Sequence, residues 1–567
     1  MVFTLFRRKS IAERFRFATY CVIPIYQAAV LADTHTFLNF HEKMTTGYLD
    51  EITSLNHSCC LLKQQLSLPG KKKKTKLKIY FLLTGVLLNA FTVPVMAQKT
   101  EAVLNDKIAR VENSLAPAIV YSPDSLIPAV NLLERMKELH VKGVSIAVIK
   151  DYKIDWARAY GWADESEHRP VNTHTRFQAA SISKTINSMG LLKLVQMGKV
   201  DLDVDINRYL KTWKLPYDSV SAGTIVTLRS LLSHSAGLGV SGFSGYERGM
   251  PIPRVDQVLN GTSPANSAAV RFIFKPGTRF EYSGGGTTIS QLLLTDVAGE
   301  SYDHFMTREV FRPLQMNDSR YLLNNDTFNI ASGYYSDGRP VKGKYHIYPE
   351  YAAAGLWTTP SDLAKYMIDC QLTLEGKPGK VLSPSLMQER FKPVVMYNES
   401  KVALGVFLRY KNGAYYFNHN GGNEGFTCAS YGSIKDGYGV VVMTNSNNSQ
   451  FMLEICNSVA RVYNWDRFYV PTIVKTVVPT KELQQSLEGH YTGESANMQL
   501  KFEQNDLYMQ PDRTSPIRYQ AYFLSDSSFV VPDYTQQREY HIRRGNTGNA
   551  LTIESTAGNR TIVVTKQ

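Results

Sequence analysis

Apolar positions change their period along the chain, and the changes divide it into elements. Between residues 126 and 139 they fall at Ile127, Val130, Leu133, Met136 and Leu139, a helical spacing. Val144-Ser-Ile-Ala-Val-Ile149 and the run from Ile154 to Tyr160, separated by Asp151-Tyr-Lys, predict a β-hairpin. Helical spacing returns at Ile182, Ile186, Met189, Leu192 and Val195, with Gly198 as its stop. Short helices follow at 228–238, 290–297 and 359–367, the last with a Thr or Ser start and Asp362 in its first turn. Runs 414–418, 425–434 and 438–444 predict three strands joined by Gly/Asn turns, and 451–465 predicts a closing helix. Two early strands, a helical middle and three late strands give an α+β fold. One antiparallel sheet carries helices on its faces and a helical subdomain beside it.

A second unit follows. The proline-bounded stretch at 471–480 reads as a linker, and 481–487 as a short helix. Seven short strands come next, at 498–502, 507–509, 517–523, 529–531, 540–544, 550–554 and 561–565. Turns such as Asn505-Asp506, Gly545-Asn546 and Gly558-Asn559 separate them. Even spacing of short strands predicts a small β-barrel or sandwich over 481–567. At the other end, six lysines between 71 and 78 precede the apolar run 79–95 and the Val95-Met96-Ala97 end. That is a secretory signal over 71–97, cleaved after Ala97, which places the mature chain in the periplasm or outside the cell with no stable membrane span. Residues 1–70 have no clear periodic element and read as an extension or as a translation start placed too early. Past Gln98 the chain becomes globular, and its first unit is expected between there and the linker.

Charge adds one exclusion. The net charge is +13. Residues 1–97 carry 13 Lys/Arg against 5 Asp/Glu, or +8, so the remaining 50 and 45 contribute only +5. The excess lies in the leader, and no nucleic-acid partner is indicated. Of the six cysteines, Cys370, Cys428 and Cys456 follow the leader, three in number and widely spaced. They suggest neither a disulfide framework nor a zinc site, and they do not require a bridge. The twelve histidines are scattered, so no metal and no cofactor is expected.

Chemistry concentrates at one place. Ser181 and Lys184 stand three apart at the start of the helix predicted from Ile182, so the amine reaches the hydroxyl. A serine becomes nucleophilic when a nearby base takes its proton, and a helix N-terminus offers N–H groups to a developing oxyanion. By itself the pair reads first as a surface serine and a solvated lysine on an amphipathic helix. Tyr282, in Phe280-Glu-Tyr-Ser-Gly-Gly-Gly286, leaves a short strand for a flexible glycine loop. A tyrosine hydroxyl beside an ammonium can carry protons. His419-Asn-Gly-Gly422 closes the strand predicted at 414–418, and its glycines let a ligand approach the backbone. The N–H of Gly422 can join that of Ser181 in an oxyanion hole.

Ser181-Ile-Ser-Lys184, Tyr282-Ser-Gly284 and His419-Asn-Gly421, in that order, resemble the three motifs of the serine β-lactamase and penicillin-binding-protein superfamily. The likeness is to its class C-like branch, which includes D-alanyl carboxypeptidases, D-aminopeptidases and esterases. Leu231-Leu-Ser-His-Ser-Ala-Gly-Leu238 and the stretch 354–364 resemble supporting segments of that branch, and the likeness covers about residues 105–470. The resemblance implies a secreted serine hydrolase that cleaves an amide or ester through an acyl-enzyme. Ser181 would be the nucleophile, Lys184 and Tyr282 would move protons, and His419 would take the place of the usual motif lysine. Gly421, Gly422 and Gly284 would contact a small-molecule or peptidoglycan-derived substrate. His234 reads as a structural hydrogen-bonding residue. The C-terminal unit resembles the lipocalin-like barrel that some members carry.

Two positions depart from the pattern. The second motif usually ends in Asn, and here Gly284 stands there. The third begins with a histidine rather than a fixed cation. Both weaken the hold on a substrate carboxylate and leave the acylation groups in place. "Serine hydrolase" is thus a better expectation than "β-lactamase". The alternatives within the resemblance are a D-alanyl carboxypeptidase or D-aminopeptidase, or a non-catalytic penicillin-binding receptor. No Gly-x-Ser-x-Gly is present, which excludes the α/β-hydrolase motif.

Overall fold

Nine antiparallel strands form the central sheet: β1 (Gly143–Lys150), β2 (Lys153–Asp164), β3 (Arg169–Pro170), β4 (Val395–Tyr397), β5 (Ser400–Val402), β6 (Phe407–Lys411), β7 (Ala414–Asn423), β8 (Phe426–Ser433) and β9 (Gly439–Thr444). Their order is β3-β2-β1-β9-β8-β7-β6-β5-β4, so the first and last parts of the sequence meet where β1 pairs with β9. The computed structural model describes residues 101–567 apart from 125, 324–327, 412, 466–467, 495, 512–517, 533–537, 545–550 and 558–559. The signal expected at 71–97 and the residues before it lie outside the described residues.

Period two governs the packing of the sheet. Val144, Ile146 and Val148, with Val440 and Val442, face a core shared with α1 (Leu132–Glu138) and α5 (Ser449–Val462). Ala147, Ile149, Val441 and Met443 face the opposite core, which holds α2 (Ile182–Gln196), α3 (Gly284–Ala298) and α4 (Pro360–Leu374). Both faces are covered, and β8 and β9 are buried along their whole length. That is why β9 reads as a continuous apolar run, and why β8, with Thr427, Ser430 and Ser433 buried among its apolar residues, shows no alternation of exposed positions.

Several expectations need correction. The helix predicted over 126–139 begins at Leu132 rather than near 126, because the Asn131 side chain caps it by accepting from the Leu133 and Glu134 N–H groups; a helix over 101–112, which the pattern does not reveal, precedes it. The sequence pattern accounts for five sheet strands. It misses β3, β4, β5 and β6, which are two to five residues long and carry exposed Tyr, Arg and Met side chains. α2 is buried on nearly every side, from Ile182 to Leu192, so Lys184 is not a solvated lysine on a surface helix. Phe280–Tyr282 is not a strand, and Gly284–Gly286 are the first turn of α3 rather than a flexible loop.

The C-terminal strands close into an eight-stranded barrel: β10 (Gly489–Thr492), β11 (Asn497–Glu503), β12 (Asp506–Gln510), β13 (Tyr519–Ser525), β14 (Ser528–Val531), β15 (Arg538–Arg544), β16 (Leu551–Ala557) and β17 (Arg560–Lys566). Closure is by pairing of β10 with β17, and β10 is the strand the spacing does not reveal. The helix α6 (Lys481–Leu487) inserts Leu483 and Leu487 into the barrel core. The linker is partly a strand: Thr472–Lys475 pairs in parallel with Ile119–Ser122. Beside it, Tyr121 stacks on Tyr522 of β13, with ring centroids 4.6 Å apart, and the Val477 N–H donates to the Phe523 carbonyl.

Candidate active site

Ser181 stands at the N-cap of α2 but makes no side-chain capping bond, so its hydroxyl is not used by the helix. The turn before it is tight. Ala180 has φ +46°, a left-handed conformation that costs a non-glycine residue roughly 1–2 kcal/mol. The turn is held from outside: the Ala179 N–H donates to the Leu356 carbonyl at 2.8 Å, and Cys428 Sγ donates to the Ala179 carbonyl at 3.1 Å. Leu356 N–H in turn donates to Ser183 Oγ at 3.1 Å. The supporting stretch at 354–364 thus begins as the brace of the nucleophile's turn.

Lys184 lies one helical turn on, where its side chain returns to Ser181. Its Nζ donates to Ser181 Oγ at 3.1 Å and to the Ala353 carbonyl at 2.8 Å. The lysine is 4% exposed, and the Tyr282 ring centroid is 4.9 Å from its Nζ. Tyr282 is fixed by His234. The His234 carbonyl accepts from the Glu281 N–H at 2.8 Å, and His234 Nδ1 accepts from the Ser283 N–H at 3.1 Å. The two imidazole and phenol rings lie 4.6 Å apart. Ser283 then caps α3, accepting from the Gly286 N–H and donating to the Gly239 carbonyl. His234 therefore holds the residues on both sides of Tyr282, which is more than the hydrogen-bonding role the sequence suggested.

His419 lies on β7, not in a turn after it, because β7 continues to Asn423. Its neighbour β6 ends at Phe407, opposite Asn418. The last five residues of β7 consequently have β8 on one side and no β6 partner on the other. His419 Nδ1 lies 2.6 Å from the Asn420 carbonyl, which can only accept, so Nδ1 carries the proton and Nε2 is a bare acceptor. Nε2 is buried without a partner among the described residues. Burial, and then the Lys184 ammonium, push the His419 imidazole down to about 4. Near neutral pH about one molecule in a thousand carries a charge there. Burial first, then Lys184 and His419, push His234 well below the usual histidine range as well.

The two glycines after His419 face different surroundings. A β-carbon on Gly421 would stand 2.4 Å from the Ala179 carbonyl oxygen and 2.6 Å from Cys428 Sγ, so Gly421 is where β7 touches the nucleophile's turn. One on Gly422 would meet nothing within 4 Å. At Gly284 it would stand 3.0 Å from Phe243 Cε2 and from the Ser241 carbonyl. The space of the usual motif asparagine is thus occupied by the Ser241–Phe243 segment.

The structure therefore brings Ser181, Lys184 and Tyr282 together, sets His419 within 6.3 Å of the Tyr282 ring, and lays Gly421 against the turn before Ser181. Sequence reasoning missed Phe243, which lies in a Gly/Ser-rich stretch without a periodic signal. It missed Ala353, whose main-chain oxygen leaves no side-chain signature. It also missed Asn423, whose amide donates to the Ala354 carbonyl and to Gln178 Oε1. Cys370, Cys428 and Cys456 are separate buried thiols.

Comparison with known proteins bears on the family and the fold. The Beta-lactamase family model matches residues 131–462. Protein flp of Staphylococcus aureus strain MRSA252 is 27% identical over 325 residues, which are 54% of this chain and 60% of that protein. The chain thus spans about three fifths of the length of the curated relatives it matches first. Among solved structures, the octameric penicillin-binding protein homologue from Pyrococcus abyssi aligns over 77% of this chain and 98% of its own, with a TM-score of 0.55 and 21% identity. The D-alanine carboxypeptidase AmpC from Burkholderia cenocepacia aligns over 63% and 99%, with a TM-score of 0.50 and 16% identity. With more than half of its length matched by the family model, and with a serine, lysine and tyrosine gathered at one helix start, the chain belongs to the Beta-lactamase family, within the serine β-lactamase-related superfamily.

Proposed function

We propose that this protein is a serine hydrolase that opens an ester or amide through an acyl-enzyme and prefers substrates without a carboxylate beside the scissile bond. The observation that carries the first half is the Lys184 Nζ–Ser181 Oγ contact of 3.1 Å. In the reaction, Ser181 Oγ attacks the carbonyl carbon while its proton passes to the Lys184–Tyr282 pair. The oxyanion forms against the N–H groups of Ser181 and Gly422. Collapse breaks the bond to the leaving group, which takes the proton. Water then repeats the sequence on the acyl-enzyme and frees Ser181.

The second half rests on Gly284 and His419. A carboxylate binds best to a charged donor. Here the third-motif position presents a neutral ring whose free nitrogen accepts, and the second-motif amide is absent. A group that donates an N–H or O–H, or an apolar group, suits this wall better. We also propose export through a cleaved signal at 71–97, and a catalytic domain over 105–470 joined by the 471–480 linker to the barrel at 481–567. No helix among the described residues is long and apolar enough to cross a membrane.

A substrate panel on one preparation of residues 98–567 tests the reading. Short acyl esters should turn over faster than a chromogenic cephalosporin or a D-Ala-D-Ala peptide. Fast cephalosporin turnover would overturn the preference. D-alanyl release as the fastest reaction would favour a carboxypeptidase, the activity named for the Burkholderia neighbour.

A further inference from the structure

One short segment, Gly239–Gly245, is clamped over the start of α3. The Gly239 carbonyl accepts from Ser283 Oγ at 2.7 Å, the Val240 carbonyl from the Gly285 N–H at 3.0 Å and the Ser241 carbonyl from the Gly284 N–H at 3.2 Å. Its other end is tied as well: the Ser244 carbonyl accepts from His346 Nδ1 at 2.9 Å, and the Gly245 carbonyl from the Asn266 amide at 2.8 Å. Inside the segment Val240 has φ +62°. A β-branched residue is a genuine outlier in that left-handed region. Such outliers persist where surrounding contacts impose them, and they gather at functional sites.

The clamp places one side chain. Phe243 Cε2 lies 3.0 Å from where a β-carbon on Gly284 would stand, so the ring fills the place of the second motif's usual asparagine. Phe243 is half-buried and lies outside the hydrophobic cores of the described residues, so core packing does not account for its placement. It is close to the chemistry. Gly284 follows Tyr282 by two residues, the Tyr282 ring is 4.9 Å from Lys184 Nζ, and Lys184 Nζ is 3.1 Å from Ser181 Oγ. The same clamp occupies the first two N–H groups of α3 with carbonyls, which removes donors that a polar substituent could use there. An amide or carboxylate flanking the scissile carbonyl thus loses its partner on this side, whereas an apolar group gains a ring to pack on.

We propose that Phe243 is a specificity-determining residue whose ring receives an apolar arm flanking the scissile carbonyl. This rests on the serine-hydrolase reading of Ser181 and names the substrate class within it: esters or amides with an apolar flanking group rather than an acylamino or carboxylate group.

The test is steady-state kinetics of the full chain on two matched pairs of esters. 4-Nitrophenyl 3-phenylpropionate against 4-nitrophenyl acetate places the arm on the acyl side, and benzyl acetate against ethyl acetate places it on the alcohol. Each kcat/KM is divided by the ester's own rate with hydroxide. The expected result is a preference of about tenfold or more for the phenyl-armed ester in at least one pair. Phe243→Ala should cut that preference by about tenfold, and Phe243→Leu, still apolar, should keep most of it. Equal values within both pairs for the parent overturn the proposal, even where a variant folds poorly. So does a preference that Phe243→Ala leaves unchanged. Labelling of the parent by a fluorophosphonate separates the two readings. Labelling on Ser181 without an ester preference sinks this proposal alone, and no labelling sinks the hydrolase reading and this proposal with it.

Discussion

Adjacent glycines on β7 should respond in opposite ways to the same substitution. In Gly421→Ala the new methyl would lie 2.4 Å from the Ala179 carbonyl oxygen, 2.6 Å from Cys428 Sγ and 3.0 Å from Ala180 Cβ, all buried groups. Ordinary contact begins near 3.4 Å, so β7 and the Ala179–Ser181 turn must separate by about 1 Å. Overpacking of this kind costs about 1–3 kcal/mol. The more telling effect is kinetic, because a shift of about 1 Å between the nucleophile and the strand edge that flanks it can cost about 100-fold in rate. In Gly422→Ala the methyl meets nothing within 4 Å, and stability should stay within about 0.5 kcal/mol of the parent. The assay is thermal unfolding together with the second-order rate of Ser181 labelling by a small fluorophosphonate. The expected pattern is a lower Tm and a labelling rate reduced by about two orders of magnitude for Gly421→Ala, with near-parental values of both for Gly422→Ala. Parental labelling by Gly421→Ala, or equal damage from both, would refute the contact between β7 and the nucleophile's turn.

Other perturbations follow from the same geometry. Glu350 is fully buried, neither carboxyl oxygen has a hydrogen-bond partner among the described residues, and burial pushes it up to about 7. A carboxyl raised in the folded state stabilises below its unfolded value of about 4.5 and loses that contribution as pH rises through 7. Glu350→Gln should therefore gain on the parent between pH 5 and pH 8, by up to about 3 kcal/mol, read from urea unfolding at the two pH values; a constant difference would contradict this. His419 behaves oppositely: lowered from 6.5 to about 4, it stabilises above 6.5 and loses that contribution as pH falls toward 4. His419→Asn should flatten acid unfolding over that window. His234→Ala removes the acceptor of the Ser283 N–H and the ring beside Tyr282, and should cost about 1–3 kcal/mol and slow labelling, whereas a parental labelling rate would show that Tyr282 is held by other contacts. Gly284→Asn should lower Tm because Phe243 and the Ser241 carbonyl occupy the space, and adding Phe243→Ala should recover part of the loss; no recovery would mean that the ring is not the obstacle.

What the sequence makes legible depends on where each signal resides. Ser181, Lys184, Tyr282 and His419 are recognisable because side chain and spacing carry their chemistry, and the helix start at Ser181 follows from the apolar period of α2. β1 and β9 are recognisable as apolar runs because both faces of the sheet are covered. β4, β5 and β6 are not, since they are short, edge-ward and partly exposed, and only pairing defines them. The three glycines after Ser283 look like a loop by propensity, yet Ser283 caps them and Val270 and Leu231 pack against them, so tertiary contact overrides the local cost. The His419 ring's neutrality is likewise a property of burial and of Lys184, neither of which is written in its neighbours along the chain. Phe243 over Gly284 joins positions 41 apart, and no pattern along the chain announces it.

The central claim is that Ser181 is a nucleophile activated by Lys184. The direct measurement is intact-mass detection of covalent labelling by a fluorophosphonate at pH 7.5, followed by peptide mapping, on the parent, Ser181→Ala and Lys184→Ala. The account predicts one adduct, on Ser181, absent in Ser181→Ala and slowed by at least about 100-fold in Lys184→Ala, in keeping with the loss of a positioned base. No adduct on the parent, or an adduct that survives Ser181→Ala, would contradict it.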